Sequence, residues 1–477
     1  MARPEGKPAR TIATLRKDCL SSVEDVAQSL GSMAPSGNLG LIFPLLIAKV
    51  GNGTWLIEFY CLLAYIPILF CLTRFAGMSA SAGSLAEFGR LGLGPWGGIL
   101  TGWTYVLAMG YAVASAAPCC VYYLDLVIQA ITGHMPTEGE AMILTTLLIL
   151  AAWRCARLDI KVSTELTLVL EMCSVAAMLV IIGVAMVKTH GWVDRPQLRL
   201  AGVTPSGLQS GIVLAFLSLA GFESATVLGE EARDAKRLIP RVIMGCLVPV
   251  AVFYVILAYC IVSVARRYGI QLDKMDQITA PFEVIARASS LPWLAVASSF
   301  GIAMSYFACT LACLSAGSRV LFWIARERLF PSWAAAVHPV TATPYRSIDL
   351  FAGAAILASA GPMLLGVSLS GCIDYISQLT SLGFLGAYLE ICVASIFYAR
   401  MRGALSLSGL FWGGAAFVLV GAVLALSVLP VPPAPWRYLP YIFLTTLAGG
   451  VAVSAWYYLK RDSEGAGAVL DPDPSPS

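Results

Sequence analysis

Several ionisable side chains interrupt stretches that are otherwise apolar: Glu58, Glu171, Glu223, Arg319, Asp374 and Glu390. A charge at membrane depth is costly, so each is by default a candidate for proton exchange, ion pairing or ligand contact. Glu223 follows directly on a run of small and helix-breaking residues. A buried carboxylate there can exchange a proton, or it can simply accept hydrogen bonds from neighbouring amides. Glu171 lies one helical turn from Ser174 and is a second protonatable candidate, with a satisfied polar contact as its plainer reading. Glu58 and Glu390 read as packing or interface residues. Arg319 is expected to snorkel or to form a gate salt bridge with Glu87, Glu230 or Glu231. The cluster Glu230, Glu231, Arg233, Asp234, Lys236 and Arg237 reads first as a solvated loop and second as an inner gate.

The elements that must position these groups are broken helices. One apolar stretch contains Gly31, Ser32, Met33, Ala34, Pro35, Ser36, Gly37 and Asn38; another contains Ser218, Leu219, Ala220, Gly221, Phe222, Glu223 and Ser224. A break frees backbone N–H groups at one half-helix N-terminus and C=O groups at the other half's C-terminus. Freed donors can hold a carboxylate, and freed acceptors an ammonium group or a cation. Pro35 as a plain kink and Gly221 as a close-packing residue are the alternatives. Two discontinuous helices in corresponding positions of two halves favour a midplane binding site of the secondary-transporter kind.

The chain has 477 residues, 58% hydrophobic and only 12% charged. Ordinary soluble proteins carry about 25% charged residues, so a water-solvated globular enzyme is excluded. Apolar runs of about twenty residues, rather than alternating segments of about ten, point to helices and not to a membrane barrel. The pattern predicts about twelve spans, from Val23–Ala48 to Trp436–Leu459, the fourth (Glu140–Trp153) being short. Lys and Arg concentrate in the connections on the N-terminal side, which predicts cytoplasmic termini. The net charge of +3 gives no field able to hold nucleic acid. The 13 cysteines show no metal spacing and mostly fall inside apolar runs, where they act as small hydrophobes. His134, His190 and His338 all lie in connecting segments. No nucleophile, base and orienting group converge in any motif, so no enzyme, cofactor or metal is expected.

The segment Ala215 to Arg241, AFLSLAGFESATVLGEEARDAKRLIPR, resembles the sixth helix and following loop of the amino acid-polyamine-organocation (APC) permeases. CLSAGSRVLFWIARERLFP (Cys313 to Pro331) is similar to their eighth helix and its exit, and SAGSLAEF and LGPWGGILTGW extend the likeness over nearly all of Val23 to Phe397. The resemblance implies an all-α polytopic membrane protein with a leucine-transporter-like (LeuT-like) five-plus-five inverted repeat and two appended helices. With the composition and loop charges, it gives 1–22 as a cytoplasmic tail, 23–399 as a transport core, 400–459 as the appended pair and 460–477 as a disordered cytoplasmic tail. It also implies alternating-access movement of an amino acid or related amine across the plasma (inner) membrane, with H+ or Na+ as coupling ion.

On that reading Ser32, Met33, Ala34, Ser36, Gly37 and Asn38 hold the substrate carboxylate. Ser218, Ala220, Gly221 and Phe222 hold its amino group, with Phe222 as the occluding aromatic and Met109, Leu217 and Cys313 as apolar walls. Glu223, Glu171 and Ser174 carry coupling, and Glu230, Glu231 and Arg319 form the gate. Three departures stand out. Asp234 and Ala235 replace a usual Asn-Pro, the first break reads Pro35-Ser36-Gly37, and Ser174 stands where proton-coupled relatives carry a lysine. Glu171 is the nearby replacement for that lysine. Sodium coupling would instead use Ser315 and Ser318, one turn apart on the eighth span. Ala108 stands where cationic-substrate members often carry Glu, so a neutral, medium-sized amino acid is expected. An exchanger of the same fold, a non-transporting sensor and a channel are the other readings.

Overall fold

The computed structural model describes residues 14–158, 160–278, 280–403, 406–429, 431 and 433–468, and these build helices and turns with no named strand. Residues 1–13 and 469–477 of the expected tails lie outside the described residues. Among the described residues, eleven helices are long and apolar enough to cross a membrane. The first, Ser22–Ala76, has 55 residues, about 80 Å of helix at 1.5 Å per residue. That is far more than one ~30 Å crossing needs. It divides into α1 (Ser22–Met33), α2 (Pro35–Val50) and, after a 3-10 turn at Gly51–Gly53, α3 (Thr54–Ala76). With α1 and α2 together forming the first span, the crossings agree with the sequence pattern.

Local chemistry sets these boundaries. Ser21 and Glu24 form a reciprocal capping box that starts α1, satisfying donors a helix N-terminus otherwise leaves free. Ala34 then adopts a left-handed conformation (φ 45°, ψ 60°), and Pro35, which has no N–H to lose, opens α2. The third span belongs to α4 (Leu85–Thr132), which reverses sharply at Gly94 (φ 77°, ψ −170°). The segment before Gly94 folds back on the segment after it. A Cβ on Gly89 would meet the Gly97 carbonyl oxygen at 2.8 Å, and one on Gly98 the Ala86 carbonyl oxygen at 3.2 Å.

The remaining helices are α5 (Glu138–Ala156), α6 (Ile160–Thr189), the short α7 (Arg195–Leu198), α8 (Pro205–Ser218), α9 (Ala235–Arg267), the short α10 (Pro281–Ala288), α11 (Pro292–Arg326), α12 (Tyr345–Leu364), α13 (Leu369–Met401), α14 (Leu407–Val428) and α15 (Leu439–Ala468). The fourth span, expected to be short, gains a turn through a Thr137–Glu140 capping box. The last helix continues past Lys460 to Ala468.

The centre of the bundle is α4 packed against α11 and α13, with α1 against α6 and α3 against α9. The appended α14 and α15 lean on this core and leave Phe411, Val418, Leu444 and Trp456 exposed. Lipid tails are as apolar as these side chains, so nothing drives them inward. Small residues set the tightest approaches. A Cβ on Gly92 would lie 2.3 Å from the Ala394 carbonyl oxygen, a backbone atom that cannot swing aside. Gly92→Ala should therefore push α4 off α13, at about 1–3 kcal/mol of overpacking. The check is the thermal unfolding midpoint of the detergent-solubilised protein, and an unchanged midpoint would show that the contact yields freely.

Candidate functional site

The two breaks face one another at mid-bundle. The sixth span consists of α8, a turn through Gly221 (φ 94°) and a 3-10 stretch Phe222–Leu228. Gly221 approaches so closely that a Cβ there would lie 2.9 Å from the Ser32 carbonyl oxygen in the first break. The Ser29 hydroxyl donates to the Phe222 carbonyl at 2.7 Å, and Ser224 donates to the Gln28 carbonyl at 3.0 Å. Asn38 ties both breaks together, its amide donating to the Met33 carbonyl at 2.7 Å and the Ser218 carbonyl at 2.8 Å.

A cavity of about 620 Å³ reaches these breaks. Its floor includes Ser32, Met33, Ala34, Asn38, Ala220, Tyr306 and Cys309, and its wall Leu217, Ala112, Ser115, Ala116, Cys119 and Phe384. At its other end are the exposed residues Lys49, Ser210 and Pro433 together with Asp374 and Trp436. All belong to the bundle end reached by the far terminus of α2. The cavity therefore opens at the end opposite the start of α1. Among the described residues its only charged lining side chains, Lys49 and Asp374, lie at this mouth rather than on the floor.

The opposite end is closed. Arg319 on α11 donates to Glu231 at 2.6 and 3.1 Å, with both side chains almost fully buried (1% and 2% exposed). Arg319 thus does not snorkel, and Glu231, not Glu87, is its partner; Glu87 pairs with Arg90 at 2.7 and 2.8 Å. Beside this pair Arg326 binds Glu230, which also accepts from the Ala82 N–H at 3.2 Å. Burial alone would raise the Glu230 carboxyl, but the Arg326 guanidinium outweighs it and holds the group below its usual range. This pair's contribution is present at neutral pH and is lost as pH falls through that lowered value. The chain before α1 straps the same end: Cys19 and Leu20 donate N–H to the Glu231 carbonyl, and Arg233 N–H donates to that of Leu20.

Other expected positions come out differently. Met109 and Cys313 are buried one turn below the floor, where Ala112 and Cys309 meet the cavity. The height of the breaks sets the floor, and spacing along a single helix does not show that height. Phe222 does not line the cavity and packs instead with Tyr65 and Tyr388; the aromatics that line the cavity beside the breaks are Tyr306 and Phe384. Gly221 and Ser218 sit behind Ala220 and Leu217, and Ser36 and Gly37 behind Ala34 and Asn38. Glu223 also lies behind the break, accepting from the Tyr388 hydroxyl at 2.6 Å, while that hydroxyl accepts from the Gly221 N–H at 3.3 Å.

The freed backbone groups expected to meet a ligand are engaged by the protein itself. Ser36 N–H donates to Glu171 at 2.8 Å and Gly37 N–H to the Ser305 hydroxyl at 3.1 Å. Ser174 is buried, and its hydroxyl has no partner among the described residues. Ser315 accepts from Arg319 at 2.6 Å, and Ser318 donates to the Ser315 carbonyl at 3.0 Å. A cation between these hydroxyls would face the Arg319 guanidinium. Tyr388, Ser305 and Tyr306 had no signal in the sequence beyond being polar groups in apolar helices.

The amino acid permease family model matches residues 26–438, spanning both breaks, the cavity and the closed end. The chain belongs to the amino acid permease family. It is 29% identical to an uncharacterized transporter of Mycobacterium tuberculosis (strain ATCC 25618 / H37Rv), over 72% of this chain and 73% of that one. It is 23% identical to the branched-chain amino acid permease BcaP of Bacillus subtilis (strain 168), over 70% and 71%. It is 24% identical to the methylthioribose transporter of the same organism, over 73% and 75%. This permease is thus a multi-pass membrane protein of a transport family, and its all-helical fold fits the LeuT-like plan that the resemblance implied.

Proposed function

We propose that this permease moves an amino acid with a neutral side chain across the plasma membrane by alternating access, coupled to protons, with both termini in the cytoplasm. The observation that carries the reading is a cavity that reaches two paired helix breaks from one bundle end while a buried ion pair closes the other. With cytoplasmic termini this is an outward-open carrier. A floor without a charged side chain favours a neutral substrate side group. That agrees with the branched-chain substrate named for one relative. Proton coupling is favoured over sodium because Arg319 occupies the hydroxyl that a sodium ion would need.

Uptake and counterflow in proteoliposomes test this reading, after a thermal-shift screen against the standard amino acids and common amines with and without sodium. Saturable, sodium-independent counterflow of a neutral amino acid is the expected result. A non-saturating conductance would instead mean a channel, and stabilisation without movement a sensor. Glu223 sits where its charge is felt by the sixth-span break through Tyr388. Glu223→Gln should flatten the pH dependence of the maximal uptake rate, and an unaltered profile removes Glu223 from coupling.

A further inference from the structure

The first break already holds a carboxylate. Pro35 has no N–H, so the first amides that α2 can offer a ligand are those of Ser36 and Gly37. Glu171, from the neighbouring α6, accepts from the Ser36 amide at 2.8 Å and from the Ser36 hydroxyl at 3.0 Å through one oxygen. Ser305 takes the Gly37 amide, and the Asn38 amide is bonded to the Ala34 carbonyl. The Ser305 hydroxyl that takes the Gly37 amide also lies against the Glu171 carboxyl. The other oxygen of Glu171 is buried and makes no hydrogen bond among the described residues, nor does Glu171 form an ion pair there. The titratable groups facing it are Tyr254 from α9 and Cys309 from α11, neither of them a cation.

A half-helix N-terminus attracts an anion, and here the Glu171 carboxyl already occupies that place. A substrate carboxylate docking on the same amides would sit beside Glu171, where two like charges cannot both remain ionised. Pulling an ionised carboxylate off its donors inside a bundle is costly, whereas a neutral acid leaves more readily and carries its own donor. Resting on the amino acid reading above, we propose that Glu171 is an internal stand-in for the substrate carboxylate: it caps α2 in the empty carrier and yields Ser36 as the neutral acid, so that one proton enters with each carboxylate-bearing substrate. The proton comes from water in the open cavity and resides on Glu171 until the substrate leaves. Glu171 then governs binding, while Glu223 behind the sixth break governs the conversion between states.

The test measures equilibrium binding to the purified full-length permease. Standard amino acids are compared with the amines obtained by removing their carboxyl group, between about pH 5.5 and about pH 8. For the amino acids that bind, the expected wild-type Kd weakens by up to about tenfold per pH unit as pH rises, while the matching amine shows no such slope. Glu171→Gln and Glu171→Ala should both abolish the slope and retain at high pH the affinity the wild type shows at low pH. A flat wild-type profile, an equal slope for the amine, or a slope that survives in a folded variant overturns the inference and leaves the transport reading standing. If neither variant folds, the comparison of amino acid with amine on the wild type decides alone. Binding of no amino acid would overturn both.

Discussion

Arg319→Met should leave a permease that unfolds at markedly lower temperature and does not transport. Both side chains of the Arg319–Glu231 pair are withdrawn from solvent, and the guanidinium also donates to the Ser315 carbonyl and hydroxyl. Removing the arginine strands a buried carboxylate, and breaking such a pair from one side typically costs about 3–5 kcal/mol. Replacing both partners, as in Arg319→Met with Glu231→Leu, removes the stranded charge and should recover much of the lost stability. Transport should not recover in the double variant, because a gate must open and an apolar plug has no reason to part. Thermal unfolding and counterflow on the three proteins separate the two roles. A double variant that regains stability and full transport would reduce the pair to scaffolding.

The second large effect is expected at Gly221. Its φ of 94° lies in the region L side chains rarely adopt, and a Cβ there would press on the Ser32 carbonyl oxygen at 2.9 Å and its carbon at 3.1 Å. Left-handed backbone costs a residue with a Cβ roughly 1–2 kcal/mol before any clash is counted. The other atom met is the Ser32 Cβ, also 3.1 Å away and fixed by the same backbone, so relief can come only by moving the two breaks apart. Gly221→Ala should therefore weaken ligand binding by an order of magnitude or more and lower the unfolding midpoint. Gly183→Ala on α6 is the control, since a Cβ there meets nothing within 4 Å. Equal behaviour of the two variants would mean that the contact between the breaks is not needed for binding.

Much of this protein is local and therefore legible. The apolar runs fix the spans because a helix is the segment that satisfies its own backbone in lipid. The run from Gly31 to Asn38 and the run around Gly221 announce the breaks, because left-handed turns and proline starts are written in single residues. The ionisable residues inside those runs were equally visible, and Glu171, Glu223 and Arg319 all proved to sit at structurally committed places.

What the chain alone could not decide was which faces meet. Met109 and Ala112, or Cys313 and Cys309, differ by one turn along a helix. Only the packing of α4 and α11 against the breaks says which of them reaches the cavity. Phe222 reads like a lid in the sequence, yet the left-handed turn at Gly221 directs it into the aromatic cluster around Tyr388. Above all, the freed amides of α2 looked available because their partners are remote in the chain. Glu171 lies 135 residues from Ser36 and Ser305 lies 268 from Gly37. A helix break exposes hydrogen-bonding capacity, which is a local fact. Whether that capacity is left for a ligand or already filled depends on groups that only the tertiary fold brings within hydrogen-bonding distance.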